Sequence, residues 1–419
     1  MQKKYRLIFL IISLSFLSAQ KLLIPMDVSQ KDHLKAYGIA YYILTQNVNI
    51  EWLLNYRGGA FLIDDYAFIT QECRIRGVSY ESISGSDVLQ IYGQMDQENM
   101  DLIQLEKAPK IAIYTPPNKQ PWDDAVTLAL AYAEVPYETL WDEEVLTGGL
   151  SKYDWLHLHH EDFTGQYGKF YRNYFNAPWY INQQREFESM ARRLGYATVQ
   201  EEKKALAMAI KNYVGQGGFL FAMCSATDSY DIALSSQGVD IVHTVFDGSP
   251  PDANVQEKLD YTNTFAFTDF KLYTDPMVYE YADIDYPPSN NPVVRGAEAD
   301  YFSLFEFSAK YDPVPTMLTQ NHVAVVKGFM GQTTGFNRSK IKKHIVIMGE
   351  DPASDQVKYL HGNFGQGTYT FLGGHDPEDY QHFVGDPPTD LSLHRNSPGY
   401  RLILNNILFP AARKKERKT

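Results

Sequence analysis

The chain has 419 residues, with 38 Lys and Arg against 51 Asp and Glu for a formal charge of −13, and 44% of it is hydrophobic. That length supports a large core or two domains and excludes a single small module. The one strongly basic stretch is confined to residues 413–418, so no continuous positive surface is available for phosphate contacts and nucleic acid is excluded as an expected partner.

Lys3, Lys4 and Arg6 precede an apolar run over residues 7–17, and Ala19 then stands at a position suited to cleavage before Gln20. This is the layout of a secretory signal peptide, and the run falls well short of the roughly 20 apolar residues that span a bilayer. Residues 1–19 are therefore expected to be a removed leader, the mature protein being periplasmic or extracellular without stable membrane insertion. Cys73 and Cys224 are the two cysteines. An oxidising compartment lets them pair only if the fold brings them together, and their expected places lie in different sub-structures.

Residues 20–107 read as an N-terminal α/β region. A short apolar run over 22–25, helical spacing over 33–46 and a second apolar run over 48–54 predict a βαβ unit and a parallel half-layer. Arg57, Gly58 and Gly59 then make a turn, 64–76 a helix and 78–83 a strand. A second alternation opens with a strand over 110–114, a helix over 123–134, strands over 137–141 and 153–159, and helices over 182–194 and 201–214. Residues 219–224 read as a buried central strand stopping at a polar turn over 225–228. Residues 236–363 break into short strands, prolines and turns, too long for a connection, and read as an irregular β-rich insertion with antiparallel strands over 323–328, 331–336 and 344–348. A strand from 365 then ends in Gly373-Gly374-His375, a helix over 397–408 closes a domain spanning 108–410, and 411–419 is a basic tail.

In open α/β sheets, ligands sit beyond the carboxyl ends of the parallel strands, so the residues just after each strand carry the candidate chemistry. Cys224 stands at a strand-to-helix elbow, where a side chain is exposed, the next amide, that of Ser225, helps build an oxyanion hole, and a helix amino end favours the thiolate. His375 and Glu378 follow the last strand, where a His with a carboxylate serves as a base for that thiol. His157, His159, His160, Glu161 and Asp162 form the third cluster; strand alternation puts His157 and His159 on one face with the other three at the tip. That tip is dense in ligand types for a divalent metal or a substrate, with His157, His159 and His375 as metal candidates and His382 within reach if the strand ends meet. The aromatic stretch of Phe163, Tyr167, Phe170, Tyr171, Tyr174, Phe175, Trp179 and Tyr180 reads as a packed lid or a sugar platform.

The order of a strand-borne Cys elbow, a later strand ending in Gly373-Gly374-His375 and a closing helix with Arg401-Leu-Ile-Leu-Asn-Asn-Ile-Leu408 resembles the class I glutamine amidotransferase-like superfamily. Residues 365–378 look most like its trehalose-utilisation (ThuA-like) branch, over roughly 108–235 and 340–410. The resemblance implies a flavodoxin-like layered parallel sheet. The elbow Ala222-Met-Cys-Ser-Ala226 lacks the flanking glycines of an active family member, and two residues separate His375 from Glu378 where the family has one. The whole chain also resembles exported bacterial proteins labelled asparagine synthetase B. That label implies an exposed amino-terminal cysteine and a pyrophosphate loop, and this sequence has neither.

Arg57-Gly58-Gly59 and Gly331-Gln-Thr-Thr-Gly335 lack the strand, glycine pattern and lysine of a nucleotide fingerprint, so neither ATP nor NAD is expected. The functional expectation is an exported hydrolase or transferase using a Cys/His cleft on an amide- or carbohydrate-type substrate. The competing readings are a non-catalytic domain binding a small molecule, peptide or glycan, and a metal-dependent hydrolase.

Overall fold

A computed structural model describes residues 20–413 apart from 119–121, 287–299, 330–331 and 380–384, and gives no side-chain environment for 313–315. The expected leader, His382, Gly331 and most of the basic tail lie outside the described residues.

The N-terminal strands are β1 (Lys21–Ile24), β2 (Ile50–Leu54), β3 (Ala60–Asp64), β4 (Glu81–Ile83) and β5 (Asp101–Leu105), in the sheet order β4-β1-β3-β2-β5. Every neighbouring pair in this sheet is antiparallel. The expected parallel half-layer is thus corrected. The helix His33–Thr45 does carry the chain from β1 to a strand of the same direction, but β3 inserts between them and pairs with both. β3 follows the Arg57-Gly58-Gly59 turn directly, and this tight reversal makes it the nearest partner for β2. In that turn Arg57 meets the carboxylates of Asp27 at 2.7 Å and Glu81 at 2.8 Å.

The large sheet takes β6 (Ile111–Tyr114), β7 (Glu138–Leu140), β8 (Trp155–Leu158), β9 (Phe219–Met223), β10 (Tyr301–Leu304), β11 (Val325–Lys327), β12 (Phe336–Asn337), β13 (Val346–Glu350), β14 (Gln356–Phe364) and β15 (Gly367–Leu372). Its order is β11-β10-β13-β14-β15-β9-β8-β6-β7, with β12 paired to β14. β15, β9, β8, β6 and β7 are mutually parallel, while the rest run antiparallel to their neighbours. The protein is therefore an α/β fold with both parallel and antiparallel sheet. The region read as an insertion supplies β10 to β14, which extend the parallel core as an antiparallel wing of the same sheet. β10 and β14 were not foreseen within it.

Side-chain alternation shows that the inner parallel strands β6, β8 and β9 are covered on both faces. Ile111, Ile113, Trp155, Phe219, Phe221 and Met223 join one core, and Ala112, Tyr114, Leu156, Leu158, Leu220 and Ala222 join the other. The second core packs under the helices Val199–Gly215 and Ser225–Ser235. The first is shared with the N-terminal sheet through three helices, His33–Thr45, Ala125–Ala133 and Pro398–Leu408. A helix layer between two sheets has no face left for water. Residues 399–408 are accordingly all buried.

Two polar side chains of that layer, Arg401 and Asn405, are held by tertiary contacts. Arg401 is fully buried and donates from Nη1 to the Met26 carbonyl at 2.7 Å, from Nη2 to the Gly58 carbonyl, and from Nε to the Tyr37 hydroxyl at 3.1 Å. Asn405 donates to the carbonyls of Leu318 and Gln320 at 3.1 and 2.8 Å and accepts from Tyr37. No described helix is long and apolar enough to cross a membrane.

Arg401→Met keeps much of the volume but strands the carbonyls of Met26 and Gly58 in the interior. Urea unfolding at neutral pH should show a loss of about 3–5 kcal/mol. A loss under about 1 kcal/mol would mean that the guanidinium does not tie the sheets together.

Burial of His361 on β14 lowers its ring pKa from 6.5 to about 4. The folded state keeps it neutral while the unfolded chain protonates, so its stabilising contribution is complete above about 6.5 and declines as pH falls towards about 4. The difference in urea midpoint between the parent and His361→Gln should therefore narrow from pH values above 6.5 to those near 4. A difference that holds constant contradicts this.

Candidate functional site

The carboxyl ends of β6, β8, β9 and β15 open on the same edge of the large sheet, and each hands its next residues to that edge. After β6 the chain reaches Asp124, the N-cap of Ala125–Ala133, whose side chain accepts the Thr127 amide at 2.8 Å. Its other oxygen faces His159 Nδ1 at 3.3 Å and His157 Nε2 at 3.6 Å. One carboxylate thus caps a helix and stands against two imidazoles. Although burial acts to raise its pKa, His159 and His157 hold this carboxyl well below its ordinary value.

β8 places His157 and His159 on one face, in keeping with strand alternation. His157 stacks between Trp155 and Phe221 at 5.8 and 5.5 Å and engages the Phe221 carbonyl from Nδ1 at 3.0 Å. Burial pushes its pKa down. His159 is 1% exposed, and its Nε2 has no hydrogen-bond partner among the described residues. The ring of His160 lies parallel to that of His159 at 4.1 Å.

His375 arrives from β15, two strands away in the sheet. Gly374 allows the approach: its φ is +93°, and a Cβ there would meet the Phe329 carbonyl oxygen at 2.2 Å. The ring of His375 then lies 4.7 Å from His159 and 4.5 Å from His160, with Nε2 to Nε2 at 2.9 Å between His375 and His160. The Asp123 carbonyl oxygen sits 2.8 Å from His160 Nε2 and 3.1 Å from His375 Nε2. Ring nitrogens of His159, His160 and His375 all fall within 4.8 Å of one another, and Asp124, His157 and His159 form an adjoining group by the same measure. Both sets have ligand atoms suited to a divalent metal.

The loop after His375 is clamped by Asp376, whose Oδ2 accepts from Tyr400 at 2.6 Å and from Thr389 at 3.0 Å. Glu378 forms its ion pair with His394 at 3.2 Å. The carboxylate expected to fix the His375 tautomer thus has His394 as a neighbour.

Cys224 has φ +49° and ψ −140°, a strained elbow for a non-glycine residue. The helix starts at once with Ser225, in place of the expected polar turn. Ser225 is 2% exposed, and Cys224 is 3% exposed with its thiol donating to the Gln332 carbonyl at 3.1 Å. Burial raises the thiol to about 12. Cys73 is buried in the N-terminal core, and both thiols are free.

Glu161 accepts the His159 amide at 2.8 Å, and burial raises it to about 7. Asp162 accepts from the amides of Thr164 and Gly168 and so pins its own loop. His160, Glu161 and Asp162 line a cavity walled by Trp122, Trp141, Phe170 and Phe187. The rings of Phe170, Trp179, Tyr174 and Trp122 pack edge to face or tilted against one another and Tyr180 is fully buried, so these members of the aromatic stretch form packed structure, while Phe175 is exposed. Asp123 and Asp124 escaped the sequence reading as site residues. Their signal was an acidic pair just before the helix Ala125–Ala133.

No protein-family profile and no curated protein matches this chain. Among solved structures, the cytoplasmic protein STM3548 from Salmonella typhimurium is 11% identical, with a TM-score of 0.36, over 73% of this chain and all (100%) of that one. The cytoplasmic protein STM1381 from Salmonella typhimurium LT2 is also 11% identical, at a TM-score of 0.33, with the same coverage of 73% and 100%. A β-galactosidase from Bacillus circulans sp. alkalophilus is 10% identical at a TM-score of 0.25, and this chain, through 69% of its own length, spans 31% of that one. Likenesses this distant say nothing about chemistry.

With its thiol buried and raised to about 12, native Cys224 should resist alkylation by iodoacetamide from pH 7 to 8.5, and react freely only in denaturant. Rapid native modification of Cys224, located by peptide mass mapping, contradicts the buried elbow.

Proposed function

We propose that this chain is an exported hydrolase or transferase of the class I glutamine amidotransferase-like superfamily, working on a small amide- or carbohydrate-type substrate at the carboxyl edge of its parallel strands. The chain-order sequence of the five parallel strands, second-first-third-fourth-fifth across β7-β6-β8-β9-β15, is that of flavodoxin-like sheets and supports the superfamily reading. The leader pattern of residues 1–19 supports export. β1 begins at Lys21, just after the expected junction.

The observation that carries the functional reading is the convergence of His159, His160 and His375 from two strand ends beside an aromatic-walled cavity. Imidazole is the commonest general acid–base group, and such groups typically contribute 10²–10⁴-fold to rate. Cys224 is less suited to the work. Its thiol is already engaged by a carbonyl, its burial disfavours the thiolate, and His375 is turned towards His160 and Asp123. The elbow then serves to set the backbone of β9 and the start of Ser225–Ser235, and the Ala226 amide bonds the His159 carbonyl at 3.1 Å.

A panel of amide and glycoside substrates tests this. On any substrate turned over, His375→Asn should lower kcat/KM by about 100-fold or more while Cys224→Ala keeps activity within about threefold. Loss in Cys224→Ala with retention in His375→Asn would restore the thiol as nucleophile, and a panel without turnover but with saturable binding would favour a ligand-binding role.

A further inference from the structure

We propose that His159, His160 and His375 form a binding site for one first-row divalent cation of the zinc class, with Asp124 as the carboxylate that orients His159. The site is a matter of coordination chemistry and holds whether or not the cleft hydrolyses anything.

The first two ligands already stand close together. His160 Nε2 and His375 Nε2 are 2.9 Å apart, and both lie within 3.1 Å of the Asp123 carbonyl oxygen. A carbonyl only accepts. An N–H on either nitrogen can serve the other ring or the carbonyl, and a bound cation would take the place of that proton. Two imidazole nitrogens at this separation are what a cation gathers. With metal–nitrogen bonds of 2.0–2.1 Å, tetrahedral geometry puts neighbouring ligand atoms about 3.3 Å apart, close to the observed His160–His375 separation.

The third ligand is prepared separately. His159 Nδ1 lies 3.3 Å from the Asp124 carboxylate, and neither ring nitrogen makes a hydrogen bond among the described residues, at 1% residue exposure. A carboxylate behind one ring nitrogen fixes the tautomer that offers the other nitrogen to a metal and raises its basicity. An isolated buried imidazole nitrogen is otherwise a cost with no return. Ring nitrogens of the three residues lie within 4.8 Å of one another, so small side-chain rotations bring His159 into the same shell. Three imidazoles select borderline cations over calcium or magnesium, which prefer oxygen. His160 and Glu161 also line the aromatic-walled cavity, so the cation site adjoins the place where a small ligand or water would enter.

The experiment is a titration of the full-length mature protein, stripped with chelator, first with zinc by calorimetry and then with cobalt(II) by visible absorption. One equivalent should bind with a dissociation constant below about 1 μM, and cobalt should give the intense visible bands of a tetrahedral nitrogen-rich site. His160→Ala and His375→Asn should each weaken binding by at least about 100-fold, and Asp124→Asn by about 10–100-fold. Cys224→Ala should bind as the parent does, which excludes thiolate ligation. Near-ultraviolet circular dichroism identifies any variant that has lost its fold, and the conservative His375→Asn is then read in place of an alanine. Absence of stoichiometric binding in the parent, or binding indifferent to both His160→Ala and His375→Asn, overturns the site. Stoichiometric binding without turnover sinks the hydrolase reading alone, and metal-independent turnover leaves the cation site standing on its binding data.

Discussion

The constraint on which the molecule depends is that its helix Pro398–Leu408 has no solvent-facing side. Placed between two sheets, it can carry polar side chains only if each finds a partner, because an unsatisfied buried group costs on the order of 1–3 kcal/mol. Arg401 meets that demand with carbonyls of the N-terminal unit, and Asn405 with carbonyls of the segment before β11. Hydrophobic contact alone would let the two sheets slide on the helix layer. A planar guanidinium that must meet several acceptors at once fixes their position.

The same helix reaches the candidate site. Tyr400, next to Arg401, donates to Asp376 and so holds the loop that delivers His375. Gly399 admits this loop, since a Cβ there would lie 2.3 Å from Pro377 Cβ. Opposite it, Asp124 both caps a helix of the same layer and faces His157 and His159. Groups that carry the architecture thus also orient the imidazoles. This coupling is the physical route to a rigid first shell: the rotamers of the site are set by packing and by partners whose loss the fold itself resists.

The elbow at Cys224 illustrates how a local pattern can suggest one role while its surroundings favour another. A non-glycine residue at φ +49° stores roughly 1–3 kcal/mol, and such strain persists only when neighbours over-determine it. Here the neighbours are visible: the Cys224 amide donates to Gly374, and the thiol donates to Gln332. These contacts enclose the sulfur. The strain therefore shapes the junction of β9 with its helix and aligns Ala226 with the carbonyl of His159, which is an indirect contribution to the same edge of the sheet.

Much of the secondary structure was legible in the residues themselves. Uninterrupted apolar runs such as 219–223 mark strands covered on both faces, and Ser397-Pro398 before an apolar run marks a helix start. Gly373-Gly374-His375 marks a backbone that must bend tightly at a strand end, and the alternation in β8 put His157 and His159 on one face. These signals are local, so one sequence suffices for them. Strand pairing is not local: β3 was hidden behind a glycine turn and separates β1 from β2, and β10 to β14 look like an insertion until they align beside β15. Nor could the chain alone announce that His160 and His375, 215 positions apart, would meet at 2.9 Å over the Asp123 carbonyl. The residue types determined which groups were available for chemistry. Only the tertiary structure decided which of them share a site, because that depends on strand order and on the enclosed helix layer that fixes the loops at the strand ends.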